Sequence, residues 1–580
     1  MTEGVGRAVE PSGSSTPAST LHPSGFTLAR YALLFFLASL AMGVGVLLWS
    51  ATHAYTDWPS TSDDMFYYLV LARETAAHGV VSVDGLRPTN GFHPLWFLVL
   101  MAIEPRVSAS ALPGVSLALL GLLHAGTSVI LWRTLRRLAG PGLAALVAGL
   151  YAGNPFVLRV VFAGVETALA ATFVGLCLWG HVRWLEHGRA SGRWLSLGAL
   201  GLAVAARTDT AMLAAALAGS AALGRLRETR DPGAALRAID WAPVAVAVMP
   251  VLAFGAWSQV ATGEFLQTSG RALSFWQSVG DWRLIREAVS RVGALATPVT
   301  AIVYALEVIV QFVGWITRAP IELFGAHPLG VMLVAGSLVA RLGLGPPGTR
   351  PSAERARDGA SEPGTTADAS VRRRLTRELT TFFLLLWAFY ALLFRHCQIW
   401  YWHTSVYAAA LLVTLWLEPL SRLASATAEM FPSRRALRGT MIVVLVSAVA
   451  LTGRALNDLR PRHLRAAAPR TGSAADPLAQ VPAGATLGAF DTGRLGWEQP
   501  HLRVVNLDGL VNNAAYRALR GRRIGRYMLE ERIEWLYVRD RVVDRFSAFG
   551  LREWLDRADR VGTSGDGVAL YRLRGMAVTP

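Results

Sequence analysis

The stretch Leu112-Pro-Gly-Val-Ser-Leu-Ala-Leu-Leu-Gly-Leu-Leu-His-Ala-Gly-Thr-Ser-Val-Ile-Leu-Trp132 contains no Asp, Glu, Lys or Arg, and Arg133-Thr-Leu-Arg-Arg137 follows it at once. A helix of about 20 apolar residues crosses the hydrocarbon core of a bilayer. Arginine-rich flanks mark the cytoplasmic end of such a helix. The same pairing recurs along the chain. Uncharged blocks lie at Tyr31–Ala51, Pro141–Leu158, Thr167–Val182, Trp241–Thr262, Pro328–Ala340, Leu379–Phe394, Thr404–Leu417 and Thr440–Gly453. Arginine-rich connectors lie at Arg133–Arg137, Arg183–Arg193, Arg225–Arg237, Arg341–Arg377 and Arg422–Arg438.

Composition agrees. The 580 residues are 53% hydrophobic and only 17% charged, with a mean hydropathy of +0.37, whereas soluble domains carry about 25% charged residues. The expected fold is mainly α, a polytopic transmembrane bundle of about 11–13 helices spanning residues 29–455. Trp194–Gly224 reads as two short crossings around Arg207-Thr-Asp209, because both flanks are basic. Leu95–Ile103 and Ala294–Ile316 stay open between crossings and re-entrant helices. An odd number of crossings with the N-terminus inside puts the C-terminus outside, in the inner (plasma) membrane of a cell.

The remaining segments have other characters. Residues 1–28, rich in Ser, Thr, Pro and Gly, read as a disordered cytoplasmic terminus, and residues 343–377 as a disordered cytoplasmic loop. Tyr31–Ala51 is longer than the roughly 7–15 apolar residues of a signal peptide and lacks a well-spaced small-residue cleavage site, so it reads as a retained helix. Residues 460–580 predict a small extracytoplasmic α/β domain. Its strands are Ala485–Phe490, Arg503–Asp508, Trp535–Val538 and Gly567–Leu573, and its helices Leu510–Arg520 and Val542–Arg557.

Several functions are excluded. The net charge of +16 sits in short connectors, where the positive-inside rule places it, with no basic groove interleaved with aromatics for nucleic acid. Two cysteines, Cys177 and Cys397, make neither a disulfide framework nor a cysteine metal site. No HExxH, P-loop, GxGxxG or CxxC pattern carries weight.

Unusual polar residues gather on the outward connectors. The first outer loop, residues 53–111, holds Thr61-Ser-Asp-Asp-Met-Phe-Tyr-Tyr-Leu69 and Thr89-Asn-Gly-Phe-His-Pro-Leu-Trp96. Charge beside lipid is costly unless it serves a purpose. Asp63 and Asp64 suit general-base work, since adjacent carboxylates raise one another's pKa. Their bland reading is as caps of a helix starting near Met65. Glu166 reads equally as an interfacial carboxylate or a functional one. Arg207 with Asp209 makes either a self-satisfied pair or an anion clamp, and Arg271 in Gln267-Thr-Ser-Gly-Arg271 is a candidate for phosphate. Trp400, Tyr401 and His403 form an aromatic belt or a sugar-stacking wall. Tyr67 and His93 complete the candidate substrate-binding set, with a structural role the bland alternative for His93.

The ordered set of Asp63-Asp64 with Tyr67, Gly91-Phe-His-Pro-Leu-Trp96, Gly164-Val-Glu-Thr-Ala168 and Ala206-Arg-Thr-Asp209 resembles bacterial membrane glycosyltransferases of the GT-C superfamily, including the protein O-mannosyltransferase-like and aminoarabinose transferase-like branches. The resemblance covers about residues 30–455. It implies a polyprenyl-phosphate-linked sugar donor, inverting transfer on the extracytoplasmic face, and a glycan, lipid or protein acceptor. The family's catalytic acid maps onto Asp63 with Asp64 beside it; several relatives carry Glu at the second position. A divalent metal, Mg or Mn, is used by some members and not by others. The competing readings are a glycolipid transporter or flippase, and a non-catalytic envelope assembly protein.

Overall fold

The structure, a computed structural model, describes residue 37 and residues 61–276, 369–390, 401, 403–428, 477–565 and 567–574. The helical part runs α1 (Asp63–His78), α2 (Pro94–Ile103), α3 (Leu112–Leu138), α4 (Pro141–Ala152), α5 (Pro155–Val161), α6 (Thr167–His187), α7 (Ala190–Ala206), α8 (Ala211–Thr229), α9 (Pro232–Arg237), α10 (Trp241–Thr262), α11 (Ala369–Ala388) and α12 (His403–Ala428). Among the described residues, α3, α6 and α10 are long and apolar enough to cross a membrane. Apart from residue 37, the expected crossing at Tyr31–Ala51, those at Pro328–Ala340 and Thr440–Gly453, and the open stretch Ala294–Ile316 lie outside the described residues.

Local chemistry sets the breaks. The expected block Pro141–Leu158 divides into α4 and α5 at Asn154-Pro155, because proline disfavours a helical residue before it; Asn154 Oδ1 accepts the Val157 N–H at 3.3 Å. Trp194–Gly224 divides into α7 and α8 around a 3-10 turn at Thr208–Thr210. The sequence predicts a disordered loop over residues 343–377, yet its last part, from Ala369, is the start of α11. Ion pairs hold it there: Arg374 Nε lies 2.9 Å from Glu378 Oε1, and Arg372 Nη1 3.1 Å from Glu418 Oε1. Helix α10 exposes Val248, Met249, Leu252 and Val260. An exposed apolar face of this kind is costly in water and natural against lipid.

The C-terminal sheet comprises β1 (Thr486–Ala489), β2 (Arg503–Asn506), β3 (Trp535–Arg539), β4 (Ala558–Thr563) and β5 (Val568–Leu573) in the order β2-β1-β3-β5-β4. β1 pairs parallel with both β2 and β3, and β5 runs antiparallel to β3 and β4. The connecting helices are α13 (Gly493–Glu498), α14 (Asn513–Arg520), α15 (Ile524–Glu530), α16 (Asp540–Ser547) and α17 (Arg552–Leu555). The expected helix Val542–Arg557 is two helices parted near Gly550, whose φ is +86°. β4 was not foreseen. It is a polar edge strand, Ala-Asp-Arg-Val-Gly-Thr, without the alternation that marks a half-buried strand.

Candidate functional site

Helix α1 begins at Asp63, and its N-cap is Ser62, whose hydroxyl accepts the Met65 N–H at 3.3 Å and donates to Ala163 O at 2.8 Å. Neither aspartate therefore caps its own helix. Asp63 Oδ2 accepts the Gly493 N–H at 3.0 Å and Oδ1 the Arg494 N–H at 2.8 Å. These are the otherwise orphaned donors at the start of α13 in the C-terminal domain. Burial raises the Asp63 pKa, and the two N–H bonds pull it back.

Asp64 is differently placed. Among the described residues it makes no hydrogen bond and no ion pair. Burial, then the charges of Asp63, Glu166 and Asp491, push its carboxyl up to about 7. This is the protonation range in which a carboxylate serves as a base near neutrality.

Glu166 is buried just before α6. Gly164, at φ +80°, makes the turn that brings it in. Glu166 Oε2 accepts from Tyr68 Oη at 2.9 Å and Oε1 from Arg207 Nη1 at 2.7 Å. His93 Nε2 lies 3.8 Å from the same Oε1, and the His93 backbone N–H donates to Tyr68 Oη at 3.1 Å. Burial lowers the His93 pKa, so its ring is neutral, and Nδ1 has no hydrogen-bond partner among the described residues.

Arg207 is only 3% exposed. Its Nη2 donates to Asp209 Oδ2 at 2.8 Å and to Tyr390 Oη at 3.2 Å, while Tyr390 Oη donates to Asp209 Oδ2. The guanidinium carbon sits 5.2 Å from the centre of the Tyr401 ring, which stacks on Tyr390 at 5.1 Å. Arg207 thus neutralises one charge of a Glu166–Asp209 pair, so the three groups together carry one net negative charge. Of the two alternatives for Arg207, the contacts are those of a self-satisfied pair, extended from Asp209 to Glu166.

Arg271 belongs to another network. It pairs with Glu264, lies over the Tyr516 ring at 5.2 Å, and has Arg517 on the same Glu264 at 3.6 Å. Two guanidinium groups against one carboxylate leave this network net positive.

Two candidates are absorbed by packing. Tyr67 Oη accepts the Thr492 N–H at 3.0 Å and Asn506 Nδ2 at 3.2 Å, and donates to Asp508 Oδ2 at 3.3 Å. It points into the C-terminal domain. His403, 1% exposed, bonds Thr167 O at 3.3 Å and stacks on Tyr151 at 6.3 Å, within the helical core. Trp400 lies outside the described residues. The sequence does not mark Tyr390 or Asp508 as site residues, and it offers Tyr68 only as one of the aromatics among the polar set. Tyr68 stands beside Tyr67 in the quoted loop, but Asp508 and Tyr390 carry no local mark of their partners.

Both oxygens of Asp63 and both of Glu166 accept hydrogen bonds, whereas Asp64 makes none among the described residues. Among the described residues no three His, Cys, Asp or Glu are grouped to hold a metal ion.

No protein-family model matches the chain, and no curated protein matches it. Among solved structures, the chain is similar to an oligosaccharyltransferase from Archaeoglobus fulgidus tethered by a disulfide to an acceptor peptide containing the NVT sequon. The TM-score is 0.48 at 12% identity, over 94% of this chain and 75% of that one. It is also similar to the archaeal oligosaccharyltransferase AglB from Archaeoglobus fulgidus in complex with an inhibitory peptide and a dolichol-phosphate. Here the TM-score is 0.43 at 12% identity, again over 94% of this chain and 75% of that one.

Proposed function

We propose that the chain is an integral membrane glycosyltransferase of GT-C type. It takes a sugar from a polyprenyl-phosphate donor and passes it, with inversion, to a hydroxyl of a glycan, lipid or protein on the extracytoplasmic face. Asp64 is the general base. The observation that carries this reading is the state of Asp64: a carboxyl with no hydrogen-bond or ion-pair partner among the described residues, held near pKa 7, beside polar neighbours whose own bonds are largely satisfied. A carboxylate left without a partner in such a setting is a functional-site candidate.

In the transfer step the acceptor oxygen attacks the anomeric carbon as its proton passes to Asp64. The bond from that carbon to the phosphate oxygen breaks, and polyprenyl phosphate leaves with the bonding electrons. Because the phosphate is already a good leaving group, the demand on the protein is to activate the acceptor and to balance charge. The Arg271–Arg517 network has the net positive charge suited to the phosphate. The Arg207 cluster holds Glu166 and Asp209 rigid next to the sugar, with neutral His93 and Tyr401 as sugar contacts. The lipid tail would lie against apolar helices such as α10.

One observation favours transport. His181, Ser220 and Glu378 form a buried polar cluster between α6, α8 and α11, joined by half-buried Arg374, with His181 Nε2 2.8 Å from Glu378 Oε2 and Ser220 Oγ 2.8 Å from Glu378 Oε1. Buried ionisable groups inside a helical bundle mark substrate paths in transporters.

The test is sugar transfer by the purified protein from a panel of polyprenyl-phosphate sugars, comparing wild type with Asp64→Asn and Glu378→Gln. Transfer that survives Glu378→Gln and is lost in Asp64→Asn supports the transferase. Full turnover by a folded Asp64→Asn protein removes the assigned base. Wild-type protein that moves intact glycolipid between leaflets and transfers no sugar replaces the transferase reading with transport.

A further inference from the structure

In an open sheet with parallel strands, the crevice outside the carboxyl ends of the strands is where ligands bind. Here that crevice, at the ends of β1 and β2, is filled by the chain's own helix α1. The loop after β1 supplies the backbone N–H groups of Thr492, Gly493 and Arg494. The end of β2 and the loop after it supply Asn506 and Asp508. Tyr67 Oη enters among Thr492, Asn506 and Asp508, and the Asp63 carboxylate takes the first N–H groups of α13. In effect a phenol and a carboxylate from α1 stand where a ligand would.

The fit is close. A Cβ on Gly493 would lie 2.2 Å from Asp63 O, and one on Gly91 would lie 1.9 Å from Leu510 O, so any side chain at either position pushes the domain away. Farther along α1, Arg73 Nη2 donates to Gly496 O at 2.9 Å, and its guanidinium lies 5.4 Å from the Trp497 ring centre. Asn513 Nδ2 donates to Asn90 Oδ1 at 3.0 Å, which ties in the loop that carries His93.

Helical geometry makes this grip matter. Successive residues on a helix point about 100° apart. Asp63, Tyr67 and Arg73 mark the side of α1 that faces the C-terminal domain. Asp64 lies one residue round from Asp63, within the electrostatic reach of Glu166. Holding Asp63 and Tyr67 therefore sets the rotation of α1 about its axis and, with it, the direction of the base.

We propose that the C-terminal α/β domain is a positioning element of the transferase site: its strand-end crevice clamps Asp63 and Tyr67, and the clamp aims Asp64. Asp63 and Tyr67 are thus positioning residues that act through Asp64. The inference rests on the assignment of Asp64 as base.

The experiment uses the full chain in detergent or nanodiscs, with Tyr67→Phe, Asp63→Asn and Arg73→Ala. Hydrogen exchange at α13 reports docking, and kcat and donor KM report transfer. Tyr67→Phe keeps the ring and removes three hydrogen bonds. It should speed exchange at Thr492–Arg494 and lower kcat by roughly 10- to 100-fold, the scale of a small misplacement of a reacting group, with donor KM within about 2-fold. Asp63→Asn should do the same, and Arg73→Ala, on the same face and farther from Asp64, should follow in milder form. Undocking with unchanged kcat overturns the proposal, as does unchanged docking and kcat in both Tyr67→Phe and Asp63→Asn. Wild-type transfer that is abolished by Asp64→Asn shows that the functional reading stands whatever these variants do. If the wild type transfers no sugar from any donor, that reading fails first.

Discussion

Replacing Asp64 with Asn should abolish transfer while leaving the protein at least as stable as before. The two effects come from the same cause. The Asp64 carboxyl is pushed from 3.8 to about 7 by burial and by the charges of Asp63, Glu166 and Asp491. A base with pKa about 7 is about one-tenth ionised at pH 6 and about nine-tenths ionised at pH 8, so kcat/KM should climb about tenfold across that interval. Losing the base should cost on the order of 10²–10⁴ in rate. The stability effect has the opposite sense. Because the folded pKa exceeds the unfolded one, the native state binds the proton more tightly, and stability falls as pH rises from 3.8 to about 7. Above that range the cost of the ionised, unpaired carboxylate is fully present, and Asn removes it. The assays are transfer from a polyprenyl-phosphate sugar over pH 5–9 and thermal unfolding at pH 8. A wild-type rate flat between pH 6 and 8, or an Asp64→Asn variant that is inactive only because its melting point has fallen, would refute the reasoning.

Other expectations follow from the same contacts. Glu166→Gln removes a negative charge that raises Asp64, so the rising limb of the pH–rate profile should move to lower pH; a shift upward contradicts the electrostatic account. Arg207→Ala strands buried Glu166 and Asp209 and should cost about 3–5 kcal/mol of stability, read by thermal or denaturant unfolding in detergent. Arg207→Lys should be intermediate in the same assay, since one ammonium cannot reproduce the forked contact. Arg271→Ala should raise the KM for the phosphate-linked donor by roughly 10-fold, the worth of one charge-assisted hydrogen bond, and leave the pH limb of Asp64 in place.

The helical character of the described residues 61–276, 369–390 and 403–428 was largely legible because lipid enforces a local rule. Each crossing must be apolar along its own length and must satisfy its backbone internally, so runs such as Leu112–Trp132 declare themselves. Strands β1, β2, β3 and β5 were legible for a similar reason, as short apolar runs between turn residues. The polar edge strand β4 and the helical start of α11 were not. The first is held by pairing to β5 and the second by ion pairs reaching to α12 and along α11, and neither shows in local hydropathy.

The candidate site divides in the same way. Its residue types and their place beside the apolar blocks followed from the sequence alone, since charge beside an apolar block is conspicuous wherever the chain later goes. The division of labour did not. Asp63 and Asp64 are chemically identical neighbours, and only a contact across 430 positions, from Asp63 to Gly493, engages one and leaves the other open. Tyr67 and His403 were candidates for substrate until the fold surrounded them with protein. Arg207 could be a clamp or a pair until Glu166 and Asp209 were seen on either side of it. Sequence alone determined that this chain has helices built for a membrane and an acidic, aromatic set near their ends, because hydropathy is a property of each segment. Tertiary structure decided which carboxylate is open, because hydrogen-bond satisfaction depends on what distant backbone brings to the same point.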